Sequence, residues 1–405
     1  MHTTLYEKTI GFVGRQHLAF KINIIKNMLV NFSIGLTQQY QSIYVYSLGA
    51  TALELGYVNS IGGVTNTILS VPVGLLADRH GIKKMMFISL SLMALGYAIF
   101  GSATNWQTIA LALISVSVAN LIQMNVCPMV CGSCLRSVER TTGMQICDTV
   151  AAIPRLFAPV MAAFAIAAYG GLNTEGIRPL YWFEVAGIII ALLIVTRYFV
   201  NPPGTGETKD ASFSSGARRV TTEGVHIKRW IVYYMLMNIP WTMGFYIPLY
   251  ANLIRGASPL LLGLMDSGYW FASVLLALPI GIASDRFGRK RMIAALAPLY
   301  GLGLMILCNI PGDYALLVAG VLNGFTMLMG VTESSITVEL VPKDLLGAWF
   351  GLLGLFTGVV GFVAPILGGI LWNNLGPATV LYFLAATQVV KLGILATMPS
   401  KSKYS

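Results

Sequence analysis

Three charged residues, Arg155, Glu333 and Asp266, lie inside long apolar segments of this sequence. Placing such a side chain inside a lipid bilayer costs about 2.5 to 3.5 kcal/mol even on the most lenient scale, so each needs a function or a partner. A guanidinium fixed at the depth of Arg155 can bind an anionic group through paired hydrogen bonds. A buried carboxyl group can take up and release a proton near neutral pH, which makes Glu333 and Asp266 candidate proton carriers.

Each of these residues also has a structural alternative. Arg155 could form an ion pair with Asp148 on the same helix face or with Glu333 from the other half of the chain. Asp266 and Glu184 lie nearer the outer ends of their segments, where either carboxylate could reach external water. Glu333 could belong to a buried pair, or lie closer to the inner surface. Lys391 could extend its ammonium group to the inner surface.

Polar side chains that recur along the apolar segments are expected to line a cavity around Arg155, because a polar group that faces hydrocarbon is costly. Together with Arg155, the residues expected to contact a substrate are Asn31, Gln38, Asn120, Gln123, Asn238, Trp241 and Asn323.

The composition is that of a membrane protein. Hydrophobic residues make up 56% of the chain and charged residues only 10%, against about 25% charged in soluble domains. A helix needs about 20 residues to cross the hydrocarbon, and we predict twelve such spans. Spans 1 to 12 are expected near residues 24–48, 52–77, 85–104, 107–131, 144–168, 180–198, 231–254, 259–284, 292–310, 314–341, 347–372 and 379–397.

The net charge of +10 is distributed unevenly across the membrane. With the N-terminus inside, nearly all lysines and arginines fall at cytoplasmic ends, and only Arg178 and Arg255 face outside. The positive-inside rule therefore places both termini in the cytoplasm. No N-terminal segment pairs a short apolar core with a small-residue cleavage site, so we expect the first span to be retained. The lipid bilayer, expected to be the cell membrane, then accounts for the basic composition, and no nucleic-acid partner is expected.

A loop motif occurs twice. Gly74-Leu-Leu-Ala-Asp78-Arg79-His-Gly81-Ile-Lys83-Lys84 follows span 2, and the same G-x-x-x-D-R-x-G pattern with basic residues recurs at an offset of 207, after span 8. The repeat continues beyond the motif, since Leu55-Gly56 matches Leu262-Gly263 and Ala158-Pro159 matches Ala364-Pro365. In this register Arg155 is equivalent to Gly361.

The repeat predicts an all-α membrane protein of twelve transmembrane helices, in two six-helix lobes related by a pseudo-two-fold axis along the membrane normal. We predict an N-terminal lobe over residues 1–200, a polar cytoplasmic linker over 201–229 and a C-terminal lobe over 230–405. Gly81 and Gly288 would allow tight chain reversals in the two loops, and Gly74 and Gly281 would allow close helix contact.

The two loops, the twelve spans and the central linker resemble the major facilitator superfamily. In that family the loop contributes to a cytoplasmic gate between the lobes. The resemblance assigns this role to Gly74, Asp78, Arg79, Gly81, Lys83 and Lys84, and in the second copy to Gly281, Asp285, Arg286, Gly288, Arg289 and Lys290. Ile82 departs from the pattern, since a basic residue is usual there. The alternative is that the loops only set topology.

We therefore expect a secondary active transporter that moves a small polar, anionic organic solute by alternating access, as a proton-coupled symporter. An exporter of lipophilic compounds is the alternative, with Tyr44, Trp241, Tyr246 and Trp270 as an aromatic cavity lining. A non-transporting sensor is a weaker alternative. The sequence carries no nucleotide-binding loop, catalytic triad or metal-binding cluster, so we expect no enzyme activity, cofactor or metal. We expect a monomer.

Overall fold

A computed structural model describes the backbone of residues 17–135, 140–201, 219–222, 224, 226–342 and 345–398. Within these ranges it leaves out the side chains of residues 71, 73–80, 125, 127, 128, 132, 140–143, 145 and 146. Most of the expected linker, including residues 202–218, therefore lies outside the described residues.

The described chain is helical, without a strand, and every predicted span has its helix. Spans 1 to 6 comprise Leu18–Thr37 with Gln41–Ser47, Ala52–His80, Ile82–Ser102, Trp106–Cys134, Arg140–Ala152 with Ala158–Ala168, and Thr174–Tyr198. Spans 7 to 12 comprise Ile227–Met243 with Tyr246–Leu253, Pro259–Phe287, Arg289–Asn309, Asp313–Asn323 with Phe325–Val338, Leu346–Leu375, and Pro377–Ala396.

Nine helices among the described residues are long and apolar enough to cross a membrane. The three spans that fall short are spans 1, 2 and 7. Spans 1 and 7 are each divided into two shorter helices, at residues 38–40 and 244–245. These two breaks are equivalent in the sequence repeat, so both lobes interrupt their first span at the same place.

Span 5 is also interrupted. A short 3-10 helix, Ile153–Leu156, separates its two α-helices, and a proline stands at or next to the first residue of each following segment, at Pro154 and Pro159. Proline has no backbone N–H and disfavours the helical conformation in the residue before it, which accounts for the break. Arg155 is the central residue of this interruption.

Helix starts at one end of the molecule are fixed by side-chain caps. Thr51, Asn105, Asn173 and Ser258 each accept a hydrogen bond from the backbone N–H three residues on, at the starts of spans 2, 4, 6 and 8. Such caps satisfy donors that the first helical turn leaves free. We call this the far end, and the opposite end, with the two repeated loops, the motif end.

The chain reverses at the motif end through two glycines with positive φ. Gly81 has a φ of 74° and Gly288 a φ of 91°, so both tight reversals form as predicted. A side chain would strain either position. At Gly281, by contrast, an added Cβ would meet no atom within 4 Å, so the close helix contact predicted there is absent from this conformation.

The lobes meet along two seams, span 2 against span 11 and span 5 against span 8. Toward the far end both seams are joined by tyrosines. The Tyr40 hydroxyl shares its proton between the carbonyls of Pro159 and Pro259, each at 3.0 Å. The Tyr246 hydroxyl is shared in the same way between those of Pro365 at 2.9 Å and Ala52 at 3.0 Å.

These two tyrosines are equivalent in the repeat, and so are their acceptors. The glycines beside them are equivalent as well: a Cβ on Gly56 would lie 2.5 Å from the Pro365 oxygen, and a Cβ on Gly263 would lie 2.6 Å from the Pro159 oxygen. The matching Leu-Gly pairs of the two halves thus mark the points where the lobes close on each other at this end.

Candidate functional site

A cavity of about 660 Å³ lies between the lobes and is lined by both. Of the residues predicted to contact substrate or carry a proton, the structure places Gln38, Arg155, Asn238, Trp241, Asp266 and Asn323 on its wall. The cavity combines amide and hydroxyl groups with several aromatic rings. It is therefore suited to a ligand with a polar group and a flat or apolar part.

Arg155 is brought to the cavity by the break in span 5 and by close packing of span 1. Gly35 makes that packing possible, because a Cβ there would lie 2.9 Å from the Cβ of Ala158. The two polar residues that flank Gly35 on its helix face then reach Arg155. Its Nε donates to Asn31 Oδ1 at 3.0 Å, and its Nη1 donates to Gln38 Oε1 at 2.9 Å.

The guanidinium also contacts the opposite lobe. Its central carbon lies 4.6 Å from the centroid of the Trp270 ring, on span 8. A cation over an indole face contributes about 0.5 to 2 kcal/mol, depending on desolvation. Arg155 is thus held by two amides from its own lobe and by an aromatic ring from the other.

Arg155 forms neither of the ion pairs considered from the sequence. Among the described residues its side-chain hydrogen bonds go to Asn31 and Gln38 alone, so Nη2 has no partner of this kind. Asp266, on the same cavity wall, interacts with Arg155 electrostatically but makes no hydrogen bond or ion pair with a described residue. A cation and a carboxylate are therefore both available to a ligand.

The two seams between the lobes differ at this depth. On one seam, a Cβ on Gly63 would lie 2.2 Å from the carbonyl carbon of Gly361, so spans 2 and 11 touch backbone to backbone. On the other seam, the equivalent positions are Trp270 and Arg155. Two large side chains therefore replace two glycines. The lobes are in backbone contact at the first seam, whereas at the second seam a charged and an aromatic side chain lie between them.

Other groups face the cavity without a fixed partner. Oδ1 of Asn323 and Oγ1 of Thr326 are buried and make no hydrogen bond with a described residue. Buried polar atoms are rarely left unpaired, so both atoms are candidates for ligand contact. Asn238 instead donates to the Tyr234 carbonyl of its own helix at 2.8 Å.

Sequence reasoning missed part of the aromatic wall. Tyr269 and Tyr300 line the cavity beside the predicted Trp241 and Trp270. Tyr44 and Tyr246, also considered for such a lining, are fully buried in the protein core instead. An aromatic residue in an apolar span gives no sequence signal that distinguishes cavity from core.

Three predicted contact residues lie off the cavity wall. Asn31 does not line the cavity but accepts a hydrogen bond from Arg155, which does. Asn120 has an exposed side chain elsewhere on span 4. Gln123 accepts a hydrogen bond from Lys26 at 2.7 Å, and Lys26 is itself buried.

Glu333 also lies away from the cavity, in a buried cluster of the C-terminal lobe. Its Oε1 pairs with the Lys391 ammonium at 3.0 Å and accepts a hydrogen bond from the Tyr233 hydroxyl at 2.5 Å. Both charged side chains are almost completely buried. Glu333 therefore forms a buried pair, and the expectation that Lys391 reaches the membrane surface is wrong.

Glu184 is buried as well, which contradicts the expectation that it could reach external water. Its Oε2 accepts a hydrogen bond from Thr37 at 2.6 Å, while Oε1 has no hydrogen-bond partner among the described residues. This carboxyl group lies in the N-terminal lobe, where the described residues offer it no ion pair.

Among the described residues, the hydrogen bonds and the ion pair of the second loop motif stay within its own lobe. Arg289 pairs with Glu339 of span 10, and Lys290 donates to the Met398 carbonyl after span 12. Asp285 and Arg286 are exposed and make no hydrogen bond or ion pair with a described residue.

In the first copy, the Lys83 backbone N–H donates to Asn201 Oδ1 at 2.8 Å, and Lys84 is exposed. The side chains of Asp78 and Arg79 and the surroundings of Gly74 are not described.

The sequence profile described as the Major Facilitator Superfamily matches residues 25–265 and 241–398. The chain is 24% identical to Multidrug resistance protein 2 of Bacillus subtilis, over 96% of this chain and 97% of that protein. It is 26% identical to an uncharacterized MFS-type transporter of Methanocaldococcus jannaschii, a match that covers 40% of this chain and 41% of the archaeal protein.

Solved structures share the fold. A variant of the nucleoside transporter NupG superposes with a TM-score of 0.75 at 16% identity, covering 94% of this chain and 99% of that one. A D-xylose-proton symporter gives a TM-score of 0.73 at 14% identity, covering 95% and 98%. These likenesses confirm the predicted architecture of twelve helices in two lobes.

Proposed function

This chain belongs to the major facilitator superfamily, and we propose that it is a secondary transporter for a small anionic organic solute, bound at Arg155 between the lobes. The single observation that carries the proposal is the position of Arg155 on the cavity wall, with Nη2 making no hydrogen bond to a described residue. In a membrane interior a fixed cation with free donors is a strong binding group for a carboxylate or phosphate.

The neighbours of Arg155 support the same role. Asn31 and Gln38 orient the guanidinium, so little side-chain entropy is lost when an anion binds. Trp270 offers a ring face beside the cation, and Asn323 and Thr326 offer unpaired polar atoms on the opposite lobe. A ligand held by both lobes would couple binding to their relative movement, which is how alternating access works.

Proton coupling is the finer part of the proposal. Asp266 is the candidate inside the cavity, where an unpaired carboxyl group can bind a proton and respond to the charge on Arg155. Glu333 is the candidate outside it, although its pairing with Lys391 gives it a structural role as well. We propose symport across the cell membrane by a monomer with both termini cytoplasmic.

The gate roles of the loop residues belong to the same proposal. At the far end, the lobes are joined by Tyr40 and Tyr246. At the motif end, Asp285 and Arg286 have no partner among the described residues. We propose that the repeated loops engage the opposite lobe when the far end opens.

The test is uptake into proteoliposomes that hold the purified protein under an imposed proton gradient. A panel of labelled mono- and dicarboxylates, sugar phosphates and lipophilic cations is offered at equal concentration. Accumulation of one or more anions that collapses when the gradient is dissipated supports the proposal. Expulsion of lipophilic cations without uptake of any anion contradicts it.

A second function has its own support. The cavity is rich in aromatic rings, among them Trp241, Tyr269 and Trp270, and Multidrug resistance protein 2 is a relative of nearly full length. Flat lipophilic cations would stack on such rings, with Asp266 as their counter-ion. The lipophilic cations in the same uptake panel test this exporter alternative directly.

A further inference from the structure

We propose that Glu184, in the core of the N-terminal lobe, is a proton-binding residue of the transport cycle, linked to Arg155 through Thr37 and Gln38. The role of Glu184 in transport rests on the proposed function. Proton binding by its carboxyl group is inferred from the structure of the N-terminal lobe alone and can be tested without a substrate.

The surroundings of Glu184 favour its neutral form. The residue has no exposed surface, and the described residues place no lysine or arginine within ion-pair distance. One carboxyl oxygen accepts from Thr37 at 2.6 Å, and the other makes no close hydrogen bond with a described residue, although the Tyr97 hydroxyl interacts with the carboxyl group. An ionised carboxylate with an unpaired oxygen is costly in such a place, whereas a carboxylic acid is not.

The groups that face Glu184 come from each element packed against its helix. Thr37 lies on span 1 and Tyr97 on span 3, while Tyr181 is on its own helix with a buried, unbonded hydroxyl. Arg155, from the break in span 5, interacts with it electrostatically. Arg155 is the one cation among these groups, and it is also the proposed substrate-binding group.

The link to the cavity runs through two adjacent residues at the break in span 1. Thr37 is the last residue of its first helix and holds Glu184, while Gln38, the next residue, holds Arg155 at 2.9 Å. Because no helical segment separates them, any shift of Gln38 that accompanies anion binding at Arg155 is passed directly to the Thr37 contact. The break thus joins an anion site to a proton site.

The described buried acid of the other lobe has a different setting. Glu333, in the C-terminal lobe, is paired with the Lys391 ammonium at 3.0 Å. Glu184 makes no ion pair with a described residue, so it can gain or lose a proton without breaking one. This makes Glu184 the better placed of the two acids.

Infrared spectroscopy of the protein in lipid gives the substrate-free test. Spectra recorded over a pH series should show the carbonyl band of a buried carboxylic acid that disappears as the pH rises. The component due to Glu184 should be absent from Glu184→Gln and present in Asp266→Asn and Glu333→Gln. Persistence of every such component in Glu184→Gln would overturn the proposal.

Transport gives the second test, with whichever labelled anion the wild-type protein accumulates. Glu184→Gln should exchange that anion across the membrane at a near wild-type rate but lose accumulation driven by a proton gradient. Retained exchange also shows that the variant folds. Full gradient-driven accumulation by Glu184→Gln would overturn the coupling role.

Thr37 provides a matched pair of variants. Thr37→Ser keeps the hydroxyl donor and should keep accumulation, whereas Thr37→Val should reduce it at least threefold. Equal accumulation by the two variants would overturn the link through Thr37. If the wild-type protein accumulates no anion at all, the proposed function fails, and the infrared bands still decide whether Glu184 binds a proton.

Discussion

The guanidinium of Arg155 lies 4.6 Å from the ring centroid of Trp270, so a cation of one lobe is stacked on an aromatic ring of the other. The equivalent pair on the second seam is Gly63 and Gly361, whose backbones touch. In this duplicated chain, the charged and aromatic side chains that face the cavity lie on one seam, and the other seam is a close backbone contact. An asymmetric cavity between symmetric lobes is the result.

Replacing the ring should weaken anion binding. Trp270→Leu removes the aromatic face beside Arg155, and we expect affinity for the transported anion to fall about two- to thirty-fold, which corresponds to about 0.5 to 2 kcal/mol. Trp241→Leu removes a ring from the same cavity and should have a smaller effect, because no contact with Arg155 is lost. Competition by unlabelled anion in uptake assays measures both. Equal losses would favour the aromatic exporter site.

The Glu333 and Lys391 pair should contribute strongly to stability. Lys391→Met leaves an uncompensated buried carboxylate and should lower the free energy of unfolding by about 3 to 5 kcal/mol. Removing both charges in a Glu333→Leu, Lys391→Met double variant should cost less than the sum of the single changes. Denaturant unfolding in detergent gives the values.

The pair between Arg289 and Glu339 is the control, since both side chains are about a quarter exposed or more. Arg289→Met should cost about 0 to 1 kcal/mol. If Lys391→Met has the same free energy of unfolding as the wild-type protein, the buried pair does not stabilise the fold. A role for Glu333 in proton coupling would then be favoured.

The backbone contact of the closed seam leaves no room for a methyl group. A Cβ on Gly63 would lie 2.2 Å from the Gly361 backbone, so Gly63→Ala should separate spans 2 and 11 and reduce both thermal stability and transport rate. Gly354→Ala, on span 11 with open space around it, should be neutral or slightly stabilising, by up to about 1 kcal/mol. Identical behaviour of the two variants would refute close packing at this seam.

The tyrosines at the far end should hold the lobes together as a pair. Tyr40→Phe and Tyr246→Phe each lose a hydroxyl donor that is shared between two carbonyl groups, one of them across the lobes. In the double variant, spin labels attached to cysteines introduced at positions 46 and 253 should lie farther apart on average than in the protein with both tyrosines. Double electron–electron resonance spectroscopy measures this distance. Both positions are surface-exposed.

Tyr44→Phe serves as the control for the tyrosine pair. Its hydroxyl donates to Phe100 within one lobe at 2.8 Å, so its loss should leave the label separation unchanged. An unchanged separation in the Tyr40 and Tyr246 double variant as well would mean that other contacts hold this end closed.

The sequence was sufficient for the architecture because membrane crossing imposes a length and a composition on every helix. The repeat added the two lobes and the equivalence of Arg155 with Gly361. The depth of Arg155 in its span identified the residue that the cavity is built around. Each of these inferences requires only the position of a residue along its own helix, or the sequence offset between the two halves of the chain.

What could not be predicted depends on which helix faces meet. Lys391 lies 58 residues from Glu333, and nothing in either span indicates that their polar sides face one another. For the same reason the sequence did not distinguish Tyr40, which joins the lobes, from Tyr44, which packs inside one. The sequence predicts Glu184 near water because position along the chain gives only its distance from the outer end of its span, whereas neighbouring spans cover it completely.

The most direct measurement of the central claim is anion uptake by Arg155 variants, with Arg178 as the matched arginine. Arg178 donates to the Ala103 carbonyl and does not line the cavity, so Arg178→Lys should transport normally. Arg155→Lys keeps the charge but loses the planar fork and its two amide contacts, and we expect affinity at least tenfold weaker, about 1.4 kcal/mol. Arg155→Ala should abolish uptake of the anion while the purified variant remains folded. Wild-type uptake by Arg155→Ala would contradict the account.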